Sequence, residues 1–327
     1  MTDVAVRVSD PALARQVFDL VAAAHADVAS EIGTRTGLLV TDEVPDATSL
    51  PTIVVAGAAS AAPWRRAAEA GVEQVVVLPE GASLLGRRLG EKRRAPTGTL
   101  IRVIGTRGGS GATTVACGLA VALAEQLRTV LVDGDSAGSG LDVALGIETA
   151  KGLRWGDLSD VRGAVAATSI LGRLPVVADL PVLSQGGPDA DALGAWRPVT
   201  ESLLSTVAAV VADVPRYRAE QLGSGAHGVD VLVVPHDVVA LATARRLTDS
   251  GAVGPEPVIA LRRIRGPMPA AAAVELLPHR HVVEIPDCSG VRAGTDFGDL
   301  AQAVTRRPFA GACRELADAV MGVGGGR

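Results

Sequence analysis

The stretch IGTRGGSGATTVA, Ile104 to Ala116, contains the residue types that bind phosphate groups through the backbone. Gly108, Gly109 and Gly111 permit positive φ angles and a close approach of the main chain to a ligand, so successive N–H groups can converge on an anion. A helix that begins near Thr113 would add the partial positive charge of its N-terminus. The stretch predicts a phosphate-binding loop; the alternative is a glycine-rich turn that binds no ligand.

The loop departs in two places from the pattern G-x-x-x-x-G-K-[ST] of nucleotide-binding P-loops. Thr106 stands at the first glycine and Ala112 at the lysine. The chain has only two lysines, Lys92 and Lys151, so an arginine in place of lysine would carry little information, whereas an alanine does. Losing one charge-assisted hydrogen bond costs about 1.5–3 kcal/mol, or roughly 10- to 100-fold in nucleotide affinity. The residues expected to contact the nucleotide here are Gly108, Gly109, Ser110, Gly111, Ala112, Thr113 and Thr114.

Three aspartates follow apolar runs at positions where an open α/β sheet binds its ligands. VLVDGD places Asp133 and Asp135 at the end of one run, and VVADVP places Asp213 at the end of another. A magnesium ion takes a hydroxyl, waters, phosphate oxygens and carboxylates as ligands. We therefore predict a metal site from Thr113, Asp133 and Asp213. Taken singly, each aspartate has the alternative role of capping a helix or a loop.

Apolar runs of strand length alternate with helical patterns along the chain, which is typical of βα units and a parallel sheet. Hydrophobic residues make up 48% and aromatic residues 2% of the sequence, so we expect a core of Val, Leu and Ala. One series opens with VAVRV and the helical pattern PALARQVFDLVAAA, with Asp10 as N-cap and Pro11 in the first turn. A second series opens with TLIRVIG, directly before the glycine-rich loop. The predicted fold class is α/β.

The stretch GEKRRAPTGT, Gly90 to Thr99, has the charge, proline and glycine of a linker between the two series. The alternative is a basic patch that contacts acidic lipid or nucleic acid. We expect one domain at residues 1–95 and a second at residues 96–327.

The charge, the cysteines and the hydropathy of the sequence argue against several classes of protein. A net charge of −5 argues against nucleic-acid binding by bulk charge. Cys117, Cys288 and Cys313 are too widely spaced for a zinc site or a disulfide framework. The stretch MTDVAVRVSD has no signal-peptide pattern, and no apolar run has the length of a membrane span. We expect a cytoplasmic protein.

The segment RGGSGATT resembles the deviant Walker A loop of the MinD/ParA family, whose pattern is K-G-G-x-G-K-[ST]-[ST]. Arg107 falls on the signature lysine of that pattern and Ala112 on the P-loop lysine. VLVDGDSAGSGLDVALG resembles the second motif of the family, and VVADVPR resembles its Walker B segment. The G-A-T-T form resembles most the CpaE/TadZ branch and the actinobacterial proteins described as CpaE-like or septum-site-determining.

IALRRI and VEIPDCSGVRAG resemble the base-side segments of the same family, which implies nucleotide contacts at Arg262 and Pro286. The family usually has an asparagine at the position of Arg262, so this chain departs from the family pattern at the adenine contact. The implied cofactors are ATP and Mg²⁺.

The resemblance implies a P-loop domain with a mostly parallel sheet that forms an ATP-sandwiched homodimer. Arg107 and Asp135 are the implied catalytic residues, and Arg107 would reach the nucleotide of the other subunit; its alternative is a solvated loop arginine. Without the lysine, hydrolysis is expected to be slow or absent. The resemblance implies that the protein positions or recruits a pilus, secretion or division machine at the inner face of the membrane, at a pole or septum. One alternative is a nucleotide-free scaffold. The other is a DNA-partitioning ATPase, although the net charge of −5 and Ala112 both argue against it.

The first series resembles a degenerate receiver (flavodoxin-like) domain, which members of the branch also carry. Asp42 lies near the position of a phospho-acceptor. Ala56 and Leu78 replace the hydroxyl residue and the lysine of a working receiver, and Ser9–Asp10 is all that remains of the acidic pair. We expect no phosphorelay at Asp42, which is then a surface loop residue.

Overall fold

The structure is a computed structural model of the 327-residue chain. It describes residues 3–24, 26–33, 36–46, 50–57, 64–90, 98–159, 161, 167–186, 193–223, 228–264, 268–275 and 281–325. The chain divides into two compact units, Met1–Ala95 and Pro96–Arg327. Most of the expected linker, residues 91–97, lies outside the described residues.

The first unit is a parallel sheet with helices between its strands. Its strands, in the spatial order β1-β2-β3-β4, are β1 (Asp3–Arg7), β2 (Thr36–Thr41), β3 (Thr52–Gly57) and β4 (Gln74–Leu78). Its helices are α1 (Pro11–Ala23), α2 (Trp64–Glu69) and α3 (Ala82–Gly90). An isolated parallel bridge joins Val28 to Val4, on the edge of β1 that does not face β2.

The start of α1 is set by its capping residues, as the sequence predicts. The Asp10 carboxylate accepts hydrogen bonds from the backbone N–H groups of Ala12 and Leu13, and Pro11 occupies the first turn. The apolar face of the helix then buries Leu13, Val17 and Val21 in the core of this unit.

The second unit is built on an eight-stranded sheet, in which only the edge pair β7–β8 is antiparallel. Its strands are β5 (Thr99–Gly105), β6 (Thr129–Asp133), β7 (Val176–Val177), β8 (Leu180–Leu183), β9 (Ala209–Val214), β10 (Gly228–Pro235), β11 (Val258–Arg262) and β12 (Val282–Ile285). Their spatial order is β12-β11-β10-β5-β9-β6-β8-β7. The predicted α/β fold with a mostly parallel sheet is confirmed. The apolar pattern does not predict β7 and β8, because both are short and Pro181 interrupts the run.

Helices cover both faces of this sheet. They are α4 (Ala112–Ala124), α5 (Leu141–Leu145), α6 (Ala167–Leu171), α7 (Leu193–Leu204), α8 (Val238–Asp249), α9 (Ala270–Glu275), α10 (Ser289–Asp296), α11 (Leu300–Ala303) and α12 (Phe309–Gly325). Successive residues of β5 point to opposite cores: Leu100 and Ile104 belong to one, Ile101 and Val103 to the other. A strand that is buried on both faces reads as a continuous apolar run, which is why the sequence shows it so clearly.

A buried ion pair joins β5 to β10. The two residues are register partners: Arg102 Nε lies 2.7 Å from Asp230 Oδ1, and Arg102 Nη2 lies 2.6 Å from Asp230 Oδ2. Arg102 is only 2% exposed, and its Nη1 also donates to the carbonyl oxygens of Ala219 and Leu222. The strand that leads into the glycine-rich loop is thus fixed to its neighbour by a charge pair as well as by the sheet.

Helix α12 packs against α4 and the sheet edge, and its apolar residues Phe309, Leu316 and Val320 are buried. The stripe that these residues form in the sequence is therefore accounted for by packing within this unit. Among the described helices, none has both the length and the apolar character required to cross a membrane.

Candidate nucleotide-binding site

The glycine-rich loop connects β5 to α4 with its backbone open on one side. Gly109 and Gly111 have φ angles of +71° and +86°, which side-chain-bearing residues rarely adopt. A Cβ placed on Gly108 or Gly109 would meet no atom within 4 Å. Gly111 is the N-cap of α4 and supplies no side chain to the first-turn N–H groups, so these donors face the loop without a capping partner. The loop has the shape and the donors of a phosphate cradle.

Thr106, at the position of the first glycine, does not disturb the loop because it is turned into the sheet. Its side chain is fully buried, and both its Oγ1 and its backbone N–H donate to the carbonyl oxygen of Val233 on β10, at 3.1 and 3.2 Å. Ser110 is also buried, and its Oγ packs so closely on Gly105 that a Cβ there would overlap it. Ala112 opens α4, and Thr114 lies half-buried in the first turn.

Thr113 and Asp213 form the contact expected of a magnesium site. The Thr113 hydroxyl donates to Asp213 Oδ2 at 2.7 Å. Asp213 is the register partner of Asp133 on β6 and of Val103 on β5, so the order of the strands brings the two aspartates to the same edge as the loop.

Burial disfavours the charged forms of the two aspartates at this edge. Burial raises the pKa of Asp213 to about 7, and the charges of Asp133 and Asp135 add to the rise, against the hydrogen bond from Thr113. Burial raises the pKa of Asp133 to about 6, against backbone hydrogen bonds from Leu141 and Asp135. Buried carboxylates whose ionisation is this unfavourable suit a divalent cation, which would stabilise their charged forms.

Both carboxylate oxygens of Asp133 accept hydrogen bonds from backbone N–H groups that follow β6. Its Oδ1 accepts from the N–H of Asp135 at 3.0 Å and its Oδ2 from the N–H of Leu141 at 2.9 Å. Within the described part of the chain, no group of three or more His, Cys, Asp or Glu side chains is arranged to hold a metal ion by itself. A magnesium ion at this edge would therefore take the Thr113 hydroxyl, waters and phosphate oxygens as ligands, with the aspartates oriented around it.

Asp135 lies beside the same edge but has a partner that the sequence does not predict. Its Oδ1 accepts from the hydroxyl of Tyr217 at 2.7 Å and from the N–H of Ala137 at 3.0 Å. Tyr217 is the only tyrosine of the chain, and 59% of it is exposed. The neighbouring Arg216 donates through Nη1 to the carbonyl oxygen of Thr106 at 2.9 Å.

Arg107 is held within its own chain. Its Nη2 and Nε lie 3.0 and 3.2 Å from Asp237 Oδ2, while Asp237 Oδ1 accepts from the Ala240 N–H and caps α8. Burial would raise the pKa of Asp237, but the hydrogen bonds from Ala240 and Arg107 outweigh it and the pKa lies below its usual value. The Arg107 side chain is 39% exposed.

Arg262 contacts the same loop from the end of β11. Its Nη1 donates to the carbonyl oxygens of Gly109 and Ser110, at 3.1 and 3.0 Å. Pro286 follows β12, and the next residue, Asp287, has its Oδ1 3.9 Å from Arg262 Nη2. The structure therefore brings Arg262 to the glycine-rich loop, whereas Pro286 is linked to it only through the pair of its chain neighbour Asp287 with Arg262.

Sequence reasoning misses Asp237, Tyr217 and Arg216. Asp237 does carry a local signal, because an aspartate between the strand VLVVP and a helical pattern is a typical N-cap. Tyr217 and Arg216 directly follow the strand that ends near Asp213, but a short polar stretch after a strand does not reveal which loop it folds against.

Part of the second unit is similar to a known family model. Residues 101–249 match the model of the CobQ/CobB/MinD/ParA nucleotide binding domain. An uncharacterized protein of Mycobacterium tuberculosis is 32% identical over 243 residues, which are 71% of this chain and 65% of the relative. The chain thus spans less than two thirds of the length of that curated relative.

Solved structures share the fold. The septum site-determining protein MinD of Pyrococcus horikoshii, complexed with Mg-ADP, is 23% identical with a TM-score of 0.57, over 69% of this chain and 97% of its own. A chain of the MinC:MinD cell division protein complex of Aquifex aeolicus is 21% identical with a TM-score of 0.56, over 68% of this chain and 96% of its own. A putative plasmid partition protein of Borrelia burgdorferi, bound to AMPPNP, is 11% identical with a TM-score of 0.54, over 69% and 99%. Residues 101–249 of the second unit are thus similar to the CobQ/CobB/MinD/ParA nucleotide binding domain, and the second unit shares the fold of the MinD structures.

Proposed function

We propose that the second unit binds ATP with Mg²⁺ at the loop from Gly108 to Thr114. We further propose that the binding of the nucleotide, rather than its hydrolysis, controls what the protein does. The observation that carries the proposal is the hydrogen bond from Thr113 to Asp213, 2.7 Å long, beside a helix N-terminus that lacks a side-chain cap. The MinD structure from Pyrococcus horikoshii, which is a complex with Mg-ADP, supports the same ligand class.

The backbone can hold the phosphates without the missing lysine. The N–H groups of the loop and of the first turn of α4 supply donors, and the helix N-terminus adds partial positive charge. Thr113 would ligate the metal, with Asp213 and Asp133 orienting the ligands around it. When bound, Mg²⁺ neutralises phosphate charge and the charge of the buried aspartates.

Slow or absent hydrolysis fits the partners of both candidate catalytic residues. Asp135, the candidate for orienting the attacking water, accepts from the Tyr217 hydroxyl. Arg107, the candidate for stabilising transition-state charge, is paired with Asp237. Each group must leave an existing partner before it can act, and no lysine stands at position 112 to assist.

We further propose that the nucleotide-bound form is a homodimer in which Arg107 turns from Asp237 to the nucleotide of the partner subunit. Such a dimer would recruit a membrane-associated machine, of the Flp-pilus or secretion type or at the septum, as expected of a CpaE/TadZ-like protein. The Aquifex structure, in which MinD is complexed with MinC, supports a protein partner. The proposed location is cytoplasmic, at the inner face of the membrane, with no role in DNA binding.

For the first unit we propose a receiver-like (flavodoxin-like) domain that has lost phosphorelay. Four parallel strands in sequential order, with the Val28 bridge on the free edge of β1, fit a flavodoxin-like sheet whose second strand has shrunk to one bridge. Asp42 Oδ2 accepts from the backbone N–H groups of Ser9 and Asp10 at 2.7 and 2.9 Å. A carboxylate that is tied to the main chain in this way replaces the metal-dependent acidic cluster of a working receiver.

Titration calorimetry with ATP and Mg²⁺ tests the nucleotide proposal. We expect a dissociation constant between micromolar and millimolar, and Thr113→Ala should weaken the Mg²⁺-dependent binding about 10-fold. Thr305→Ala, which changes an exposed threonine far along the chain, is the matched control and should bind as the wild type does. If several millimolar ATP with Mg²⁺ produces neither heat nor thermal stabilisation, the protein is a nucleotide-free scaffold.

A further inference from the structure

We propose that Arg262 supplies to the bound polyphosphate the positive charge that Ala112 cannot supply. This inference rests on the nucleotide-binding function proposed above. Arg262, at the end of β11 and 150 positions from Ala112, would be the cation of the loop. A cation from that strand would let the loop tolerate an alanine at the lysine position.

The Arg262 guanidinium touches the loop directly. Its Nη1 donates to the carbonyl oxygens of Gly109 and Ser110, at 3.1 and 3.0 Å. A Cβ built on Gly111 would lie only 2.8 Å from the same Nη1, so the guanidinium packs directly against the backbone of the loop. Glycine at this position is required both by its φ of +86° and by the approach of Arg262.

The peptide groups of the loop face in two directions. In a trans peptide unit the C=O and the following N–H point in opposite directions. A guanidinium on the carbonyls of Gly109 and Ser110 therefore lies behind the N–H groups of Ser110 and Gly111. A cation in this place polarises those peptide units. The Ser110 N–H donates to the carbonyl oxygen of Arg107 at 3.2 Å, so the Gly111 N–H is the group that becomes a better donor toward an anion on the other side.

The other cations near the loop are paired or exposed. Arg107 is neutralised by Asp237 at 3.0 Å, and Arg216 is exposed to solvent. The Arg262 side chain is 22% exposed, and its nearest carboxylate, Asp287 at 3.9 Å, accepts shorter bonds from Arg292 at 2.7 and 2.9 Å. Of the three arginines described at the loop, Arg262 is the most buried, and its ion pair is longer than that of Arg107. Burial strengthens the field of its charge.

The experiment measures the affinity of the full chain for Mg-ATP and for Mg-tripolyphosphate, a probe without a base. Arg262→Gln should weaken both ligands about 10- to 100-fold. Arg262→Lys, which keeps the charge, should stay within about 10-fold of the wild type. The matched control is Arg263→Gln, which removes the adjacent arginine, 62% exposed and paired with Glu284 at 3.8 Å; it should bind both ligands like the wild type.

A charge-relocation variant separates the electrostatic role from a purely structural one. Adding Ala112→Lys to Arg262→Gln returns a cation to the site but cannot rebuild the contacts with the Gly109 and Ser110 carbonyls. We expect the double variant to recover most of the lost affinity for tripolyphosphate, and Ala112→Lys alone to gain less than it gains in the Arg262→Gln background.

When the wild type binds both ligands, three outcomes overturn the inference. The first is an Arg262→Gln protein that binds tripolyphosphate as tightly as the wild type or more tightly. The second is a loss confined to ATP, which would assign Arg262 to the base. The third is a loss that Ala112→Lys does not restore, which would leave Arg262 a clamp of the loop only. If the wild type binds neither ligand, the proposed function fails and the inference fails with it.

Discussion

The hydroxyl of Tyr217 donates to Asp135 Oδ1 across 2.7 Å, so the only tyrosine of the chain occupies one oxygen of the candidate catalytic carboxylate. Burial, followed by this hydrogen bond and the charge of Asp135, raises the pKa of Tyr217, which keeps the hydroxyl protonated and donating at neutral pH. The bond joins the segment after β9 to the loop after β6.

Tyr217→Phe should raise the rate of ATP hydrolysis, because it frees Asp135 to orient a water molecule. A neutral hydrogen bond is worth about 1 kcal/mol, so we expect roughly a 5-fold increase in phosphate release. ATP affinity should stay within about twofold of the wild type, since the aromatic ring is retained. An unchanged or slower rate, measured under saturating ATP, would show that Tyr217 does not restrain Asp135.

Asp237→Asn should strengthen ATP-dependent association, because it releases Arg107 from its ion pair while an asparagine still caps α8. Arg107→Ala should weaken association and leave ATP binding by the monomer nearly intact. Analytical ultracentrifugation with ATP and with ADP measures both effects. If neither variant changes the ATP-dependent dimer fraction, Arg107 has no role across the dimer.

The metal-free protein should lose stability as the pH rises from about 4 to about 7. Asp133 and Asp213 have folded-state pKa values of about 6 and about 7, above the value of about 3.9 in an unfolded chain. The folded state thus binds these protons more tightly, and its advantage is complete below pH 4 and is lost by pH 7.

Thermal melts in EDTA across this pH range check the prediction. We expect the melting temperature to fall by at least about 4 °C, and Asp213→Asn to reduce that fall because asparagine still accepts from Thr113 without ionising. Mg²⁺ with nucleotide should restore stability at pH 7 more than at pH 5. A melting temperature that rises between pH 4 and 7 as steeply in the variant as in the wild type would contradict the raised pKa values of the two aspartates.

Asp230→Asn should destabilise the second unit by about 3–5 kcal/mol, because it leaves the buried Arg102 without its charged partner. The matched control is Asp249→Asn, which breaks the exposed i,i+4 pair with Arg245 and should cost less than about 0.5 kcal/mol. Urea unfolding of the full chain measures both. Equal costs for the two variants would mean that the core pair contributes no more than a surface pair.

The first unit should take up no phosphate at Asp42. Its Oδ2 is occupied by two backbone N–H groups, and Leu78 replaces the lysine that would contact an acyl phosphate. Incubation with acetyl phosphate and Mg²⁺, followed by intact-mass analysis, should show no added phosphate. Phosphate that appears in the wild type and disappears in Asp42→Asn would refute the proposal.

The sequence by itself determines the features that depend on contiguous residues. Gly109 and Gly111 specify the positive φ angles of the loop, and Asp10 with Pro11 specifies the start of α1, because capping and turn geometry act over a few residues. The apolar runs specify a parallel sheet because strands buried on both faces leave no polar alternation. The sequence also predicts that Thr113 and Asp213 lie close together, and the structure joins them by a hydrogen bond, because α4 begins after β5 and Asp213 lies near the carboxyl end of the neighbouring β9.

Only the tertiary structure decides which distant side chains reach the loop. Arg107 and Asp237 are 130 residues apart, and Arg262 lies 152 residues from Ser110. These contacts depend on the order of the strands: β5 lies between β10 and β9, and β11 lies on the other side of β10. No local sequence pattern encodes that order. Local geometry determines the backbone of the proposed phosphate site, whereas the order of the strands determines which charged side chains reach it. A guanidinium at the end of one strand acts only on the loop that the sheet places beside it.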